Sequence, residues 1–459
     1  MTNEPVDVVV IGLGPGGEAC AARLAREGLS VVGVDARLVG GECPYYACIP
    51  TKMMIRAADA LAEARRVGEL AGSATVRSDW GPVAKRIRED ATDDWDDRVA
   101  VERLEQAGAR FVRGRARITA PGEVTVSTSD GERRFQAAKA IVVNPGTDPA
   151  VPSIPGLAGT PFWTNREAVQ TTLVPGSMIV LGGGPVGCEF TQVFSRFGAE
   201  VTLLHTRERL LPTTEPEAGR LLQECFAEEG ITVRTGVSVT GVSHDGATFT
   251  VRLDGGETLS AECLLVATGR HTDLAALGVG AYGLDESGKG IEVDERLRAA
   301  PGLWAIGDVT GKGAFTHMSI YQADIAAADI LGRDHPGAVY RAVPSVTFTD
   351  PEVGSVGLTE AAARQQGISV RIGTTDLAAS SRGFIHGPGN DGLLKLVEDA
   401  DRGVLVGATS VGPTGGEVLS ALAVAVHAEV PTAMLGQMIY AYPTFHRAIG
   451  AAVADLAAR

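Results

Sequence analysis

Apolar residues open this chain as a short block rather than an alternating stripe. Residues 6–11 are apolar apart from Asp7, and a block of that length bounded by Pro5 and Gly12 reads as a strand buried on both faces of a parallel sheet. Gly12-Leu13-Gly14-Pro15-Gly16-Gly17 follows, then a helix-like Ala/Leu/Arg segment, then a second strand over Leu29–Val34 that ends in Asp35. The same order returns 170 positions later: an apolar run at Met178–Leu181, Gly182-Gly183-Gly184-Pro185-Val186-Gly187, a helix, and a strand at Val201–Leu204. This is an internal repeat of one strand–loop–helix–strand unit. Between the copies, residues 53–108 read as mostly helical, and the acidic run Glu89–Asp97 reads as a solvated helix face or turn without function. Short β-like stretches at 110–143 and 231–267 alternate with Gly/Asp turns. From about residue 341 strands such as Ser345–Phe348 and Ala-rich helices such as Gly416–Ala428 suggest a separate α+β domain.

Composition narrows the classes. A chain of 459 residues should divide into roughly three or four domains, at about 100–200 residues each. With 44% hydrophobic and 21% charged residues it can bury large cores. The formal charge of −15 argues against a nucleic-acid partner. The start of the sequence shows neither a basic leader nor an apolar stretch of about 18 residues, so a soluble, cytoplasmic protein with no membrane partner is expected. Six cysteines are too few for a disulfide scaffold in a chain this long, and only Cys43 and Cys48 are close together.

Both glycine loops lie between a strand and a helix, the setting in which glycines let the backbone approach a pyrophosphate and the helix N-terminus faces its charge. Gly12, Gly14 and Gly17 are the binding glycines of the first copy, and Gly182, Gly184 and Gly187 those of the second. Asp35 stands about 20 residues after the first loop, where a carboxylate can hold the two ribose hydroxyls of an adenosine. His205 takes that position in the second copy, with Thr206, Arg207 and Arg209 beside it. With no acid to repel a 2′-phosphate, NADPH is expected over NADH, although NADH remains possible; alternatively the two arginines cap a surface loop. Cys43 and Cys48, five positions apart and leading into a helix, admit three readings. They are zinc ligands lacking two partners, a buried structural pair, or a redox pair whose thiols are acidified by a helix N-terminus and nearby cations.

Gly40-Gly41-Glu42-Cys43-Pro44-Tyr45-Tyr46-Ala47-Cys48-Ile49-Pro50-Thr51-Lys52 resembles the GGxCxxxxCxPxK segment of the flavoprotein disulfide reductase family, the class I pyridine nucleotide-disulfide oxidoreductases. The resemblance extends to Leu303-Trp304-Ala305-Ile306-Gly307-Asp308, to Ala267-Thr268-Gly269-Arg270, and to the phrase from Phe348 to Glu360, so it spans nearly the whole chain. It implies an α/β fold of two Rossmann-like nucleotide-binding domains plus a C-terminal α+β dimerisation domain. The FAD-binding part would occupy 1–148 and 271–340, the NAD(P)-binding domain 149–270, and the dimerisation domain 341–459. It also implies roles. Cys43 would be the thiol that meets substrate, and Cys48 the thiol lying against the flavin. Lys52 would sit near flavin N5 and pair with Glu189 beside the nicotinamide. Gly41, Gly146, Gly269, Gly307 and Asp308 would contact the cofactors, Asp308 through the ribityl chain, and the helix starting near His317 would aim its N-terminus at the flavin pyrimidine. No metal is expected.

The pattern breaks at the C-terminal end. Where the family carries His-Pro-Thr-x-x-Glu, whose histidine serves the partner subunit's site as acid–base group, this chain reads Tyr442-Pro443-Thr444-Phe445-His446-Arg447. A tyrosine of ordinary pKa near 10 is a hydrogen-bond donor rather than a base near neutrality, and His446 is one position out of register. Asn144-Pro145-Gly146-Thr147 replaces the usual Ala-Thr-Gly-Ser, which implies a changed turn with FAD retained. Pro44, Tyr45 and Tyr46 are bulkier than the usual residues between the cysteines and should narrow the substrate entrance. The expected protein is a homodimeric, FAD-dependent NAD(P)H oxidoreductase passing electrons through a Cys43–Cys48 disulfide to a small acceptor: a disulfide, a quinone or a metal ion. Two rivals remain: a carbon-centred or C–S bond-cleaving enzyme resembling the ketopropyl-coenzyme M carboxylase branch, and a structural subunit that binds FAD for stability.

Overall fold

The computed structural model describes residues 3–458. The chain divides into two compact units, one made of residues up to Pro50 with Lys85–Pro149 and Arg270–Val339, the other of Thr51–Ala84, Ala150–Gly269 and the residues from Tyr340 onward.

The first unit is built on an eight-stranded sheet. Its main path runs Arg298–Ala300, Leu303–Ala305, Gly131–Val143, Glu4–Ile11, Val31–Asp35, Arg110–Arg113, with Glu123–Thr128 and Arg115–Ala120 added as an antiparallel meander. Glu4–Ile11 pairs in parallel with a strand on each side, Val8 with Val31 and Val9 with Ile141. Val8, Val9 and Val10 are each 0% exposed, and successive side chains alternate between faces. Val9 and Ile11 pack with Val32, Val34, Leu274 and Leu277; Val8 and Val10 pack with Cys20 and Leu24 of the helix Pro15–Arg26 and with Ala323 and Ala326 of the helix Thr316–Ile330. A sheet covered on both sides has no use for an alternating pattern, hence the valine block.

The acidic run holds the clearest departure from the sequence expectation. Ile87–Ala91 is π-wound, and Asp97 is buried rather than solvated. Its carboxylate accepts from Val39 N at 2.7 Å and from Arg113 Nη2 at 2.6 Å. An acid surrounded by other acids in sequence gives no sign of a partner 58 positions away.

The second unit has three sheets. The four strands Thr232–Arg234, Glu200–Leu204, Ser177–Leu181 and Cys263–Val266 are all parallel. Val239–His244, Phe249–Leu253 and Thr258–Ala261 form an antiparallel meander. Five antiparallel strands, in the order Pro344–Thr347, Glu352–Gly357, Val404–Gly412, Leu393–Asp399, Val370–Asp376, contribute Val356, Leu394 and Leu405 to a core shared with the helices Gly415–His427 and Ala448–Ala458. No helix among the described residues is long and apolar enough to cross a membrane.

Inside this unit Arg196, whose side chain is 2% exposed, holds Asp59, Glu229 and Asp350 at 2.6 Å each. Three carboxylates facing one buried guanidinium require its charge. Arg196→Met is therefore expected to lower the free energy of unfolding by about 3–5 kcal/mol, the usual effect of removing one partner from a buried ion cluster. Urea denaturation measures it, and a loss under about 1 kcal/mol would contradict the reading.

Candidate active site

In the first unit the glycine loop is shaped by close backbone approaches. Gly12 has φ +88°, and a Cβ there would lie 2.1 Å from Asn144 O; one on Gly17 would lie 2.0 Å from Gly12 O. Gly14 caps the helix Pro15–Arg26 without any side-chain bond of its own, which leaves Gly16 N of the first turn to face an anion. Asp35 accepts from Leu13 N through Oδ2 and from Arg37 N through Oδ1, both at 2.7 Å. Burial pushes its carboxyl above the ordinary range, while these two amides act in the opposite sense.

Three further segments converge on the loop. Gly40 N donates to Leu13 O at 2.7 Å, and a Cβ on Gly41 (φ +69°) would lie 2.9 Å from Gly14 Cα. Asn144 is buried. Oriented to match donors with acceptors, its amide donates to Ser319 Oγ (3.0 Å) and Ile306 O (3.1 Å) and accepts from Gly17 N (3.0 Å). The changed turn after Val143 thus ties the glycine loop to the segment before Gly307 and to the helix Thr316–Ile330. Thr147 Oγ1 donates to Asp308 Oδ2 and accepts from Arg270 Nε, both at 2.7 Å. Thr272 Oγ1 donates to Gly146 O, and Gly307 N to Gln322 Oε1. This arrangement fits FAD: an uncapped helix N-terminus, a carboxylate at the second strand end, and Asp308 held in place beside the loop.

Cys43 lies in the short helix Glu42–Tyr45, and Cys48 is the first residue of the helix Cys48–Leu70. The Cys48 sulfur is 3.5 Å from Thr316 Oγ1. Thr316 opens its own helix, which also has no side-chain cap. Cys48 thus stands at two helix N-termini with a hydroxyl in donor range, surroundings that favour a thiolate. Thr316 has no signature in sequence; its neighbour His317 stacks on Phe315 at 5.1 Å.

In the second unit the other glycine loop repeats the geometry. A Cβ on Gly182 would lie 2.2 Å from Ala267 O, and one on Gly187 would lie 1.8 Å from Gly182 O. A Cβ on Gly184 would meet nothing within 4 Å, and the helix Pro185–Arg196 that follows lacks a side-chain cap. That open front and bare N-terminus fit a second dinucleotide. Gly269, two residues beyond Ala267, accepts from Ala150 N at 2.9 Å through its carbonyl. His205 Nδ1 accepts from Gly183 N at 3.1 Å, and burial, followed by the Arg207 charge, lowers its pKa. Arg207 is exposed, whereas Arg209 donates to the carbonyls of Pro212 and Thr214. Of the two arginines, Arg209 is the one that closes a surface loop.

Glu189, five residues beyond Gly184, has an 8% exposed side chain. Its Oε2 is 2.7 Å from Lys52 Nζ, and its Oε1 accepts from Phe348 N at 2.9 Å. Lys52, one helical turn after Cys48 in sequence, also lies 4.8 Å from the Phe348 ring centroid. Tyr442 is 69% exposed, and the Arg447 guanidinium sits 5.5 Å from its ring centroid. His446 faces elsewhere, into a groove of about 580 Å³ with Asp59, Arg382 and His386.

Residues 6–327 match the model for pyridine nucleotide-disulphide oxidoreductases, and residues 343–453 the dimerisation domain of the same name. The chain is 34% identical to a dihydrolipoyl dehydrogenase of Chlorobaculum tepidum, over 98% of this chain and 96% of that one. It is 31% identical to a mercuric reductase of Shewanella putrefaciens, over 96% of this chain and 80% of that one. Among solved structures, the Cu(II) complex of the HOCl-induced flavoprotein disulfide reductase RclA from Escherichia coli superposes with a TM-score of 0.86 at 25% identity over 99% of both chains. LpdA from Mycobacterium tuberculosis superposes with a TM-score of 0.85 at 25% identity, over 98% of this chain and all of that one.

His205 generates a pH prediction. The Gly183 bond requires the neutral ring. Because the folded pKa lies below the unfolded value, the native state binds fewer protons, so this contribution is intact above about pH 6.5 and fades as pH falls below it. KM for NAD(P)H should rise between pH 7 and pH 5, and that rise should be lost in His205→Asn, which keeps an acceptor but cannot titrate. An unchanged acid limb in the variant would contradict the assignment.

Proposed function

The chain belongs to the pyridine nucleotide-disulphide oxidoreductase family and is an FAD-dependent NAD(P)H oxidoreductase; on that premise we propose that it draws two electrons from NADPH into the Cys43–Cys48 pair and passes them to a small acceptor that needs no histidine acid–base group. FAD, when bound, supplies the two-electron relay between nicotinamide and disulfide. Residues 1–148 and 271–340 would hold it, residues 149–270 would hold the nicotinamide nucleotide, and residues 341–459 would join two copies into a cytoplasmic homodimer.

The observation that carries this reading is Cys48, with its sulfur 3.5 Å from Thr316 Oγ1 at two helix N-termini. A thiolate held there can wait reduced while Cys43, in the short preceding helix, exchanges with the acceptor. Reduction breaks the Cys43–Cys48 bond with two electrons and leaves Cys43 as a thiol and Cys48 as a thiolate; re-forming the bond passes the two electrons to the acceptor, with protons coming from Cys43 and solvent where the acceptor takes them up. Glu189 and Lys52 form a fixed ion pair beside the nucleotide loop and would orient the nicotinamide end. Asp35 and Asp308 would receive the ribose and ribityl hydroxyls.

The acceptor is a small disulfide, a quinone or a metal ion. The metal-ion arm is supported by relatives named for mercuric reduction and for a Cu(II) complex. All three suit the replacement at residues 442 and 447. Tyr442, with Arg447 over its ring, would close the partner's Cys43 pocket as a donor or wall, not as a base. Tyr442→Phe should then cost about tenfold in turnover, about 1.4 kcal/mol, with flavin reduction by NADPH unchanged in stopped flow. A general acid–base residue would cost about 10²–10⁴-fold. A loss above a thousandfold with a pH profile following a phenol ionisation would make Tyr442 the catalytic acid.

A further inference from the structure

The loop joining Cys43 to Cys48 is held by a second loop of the same unit, residues 92–97. Trp95 Nε1 donates to Tyr45 O at 3.2 Å, and its ring stacks with Tyr46 at 6.5 Å between centroids and 24° between planes. Tyr45 is buried beneath them, while Tyr46 and Trp95 are only half-buried. Ordinary core packing looks different: Trp80 is 7% exposed and packs edge-on to Phe197.

Holding Trp95 in this place strains the backbone. Asp93, Asp94 and Trp95 follow one another at φ 47°, 56° and 59°, the left-handed region that L residues rarely adopt. The loop is pinned at both ends. Thr92 Oγ1 donates to Ile87 O at 3.0 Å, and Asp97 is fixed by Val39 N and Arg113. Strain that the surroundings enforce next to a redox pair points to function. The indole N–H is already used on Tyr45 O, so what the pair offers a ligand is flat π surface. Such a surface favours planar aromatic molecules in offset stacking.

We propose that Tyr46 and Trp95 form an acceptor-binding shelf, and that the acceptor it selects is a quinone. This deepens the reading above and rests on it. The chemistry balances with solvent as the only further reactant: the Cys43 thiol and the Cys48 thiolate give up two electrons as their disulfide forms, and the quinone becomes a hydroquinone with one proton from Cys43 and one from water.

The test compares menadione, a flat uncharged naphthoquinone, with ferricyanide, which has no flat face, as acceptors for the FAD-loaded dimer. Trp95→Leu should raise KM for menadione about tenfold, with kcat within twofold and KM for ferricyanide unchanged; Trp95→Phe, which keeps a ring, should restore most of the affinity. Parallel shifts for both acceptors would mean that Trp95 only braces the cysteine loop, and no shift, or no menadione turnover by the unaltered protein, would equally overturn the proposal. If Trp95→Leu does not fold, Tyr46→Leu, which leaves residues 92–97 intact, decides by the same comparison. Cys43→Ser separates the two readings. Menadione turnover at full rate in that variant sinks the thiol route, while the KM comparison still judges the shelf.

Discussion

One buried carboxylate organises the second unit. Glu189 is almost fully enclosed, and an enclosed carboxylate costs several kcal/mol unless both oxygens are matched, as they are here: Lys52 Nζ at 2.7 Å and Phe348 N at 2.9 Å. The pairing binds three remote stretches of chain to one point, and the helix Pro185–Arg196 continues it along the same face. Gln192 exchanges two 2.8 Å bonds with the backbone of Asp350, and Arg196 ends the row with its three acids. Residues 189, 192 and 196 recur at helical spacing, so this helix buries a polar stripe in addition to the apolar one of Phe190, Val193 and Phe194. Loss of any member leaves buried partners unmatched, which makes the site and the stability of this unit the same set of bonds.

The first unit relies on backbone contact instead. Gly12, Gly17 and Gly41 occupy places where a single methyl group would collide with main chain, and Asn144 locks the resulting loop to Ile306 and Ser319. The same approaches recur at Gly182 and Gly187. The repeat was therefore legible in the sequence: the geometry accepts only glycine, and the strands before each loop are buried on both sides. The two nucleotide-binding units followed from those two facts; the full fold class, with its dimerisation domain, came from the family resemblance.

Much of the site left no such trace. Asp97 sits in an acidic run, and nothing local distinguishes it from Asp94 or Asp96, which are exposed; its partner Val39 is supplied by the tertiary fold. Asn144 reads as a substitution in a turn until Ser319, 175 positions away, is brought beside it. Thr316 and Trp95 act through contacts that no spacing encodes. Arg209 looked equal to Arg207 by charge alone, and the carbonyls of Pro212 and Thr214 distinguish them. At the C-terminal end two replaced residues still form a pair, a guanidinium against a phenol ring, which the sequence showed only as two losses.

The central claim concerns the state of one sulfur. Anaerobic titration of the FAD-loaded protein with one equivalent of NADPH, followed by absorbance at wavelengths beyond the flavin's own bands, reads it directly. A Cys48 thiolate against the flavin gives a broad new band at two electrons in the unaltered protein and none in Cys48→Ser; a band that persists in Cys48→Ser, or that never forms in the unaltered protein, contradicts the assignment.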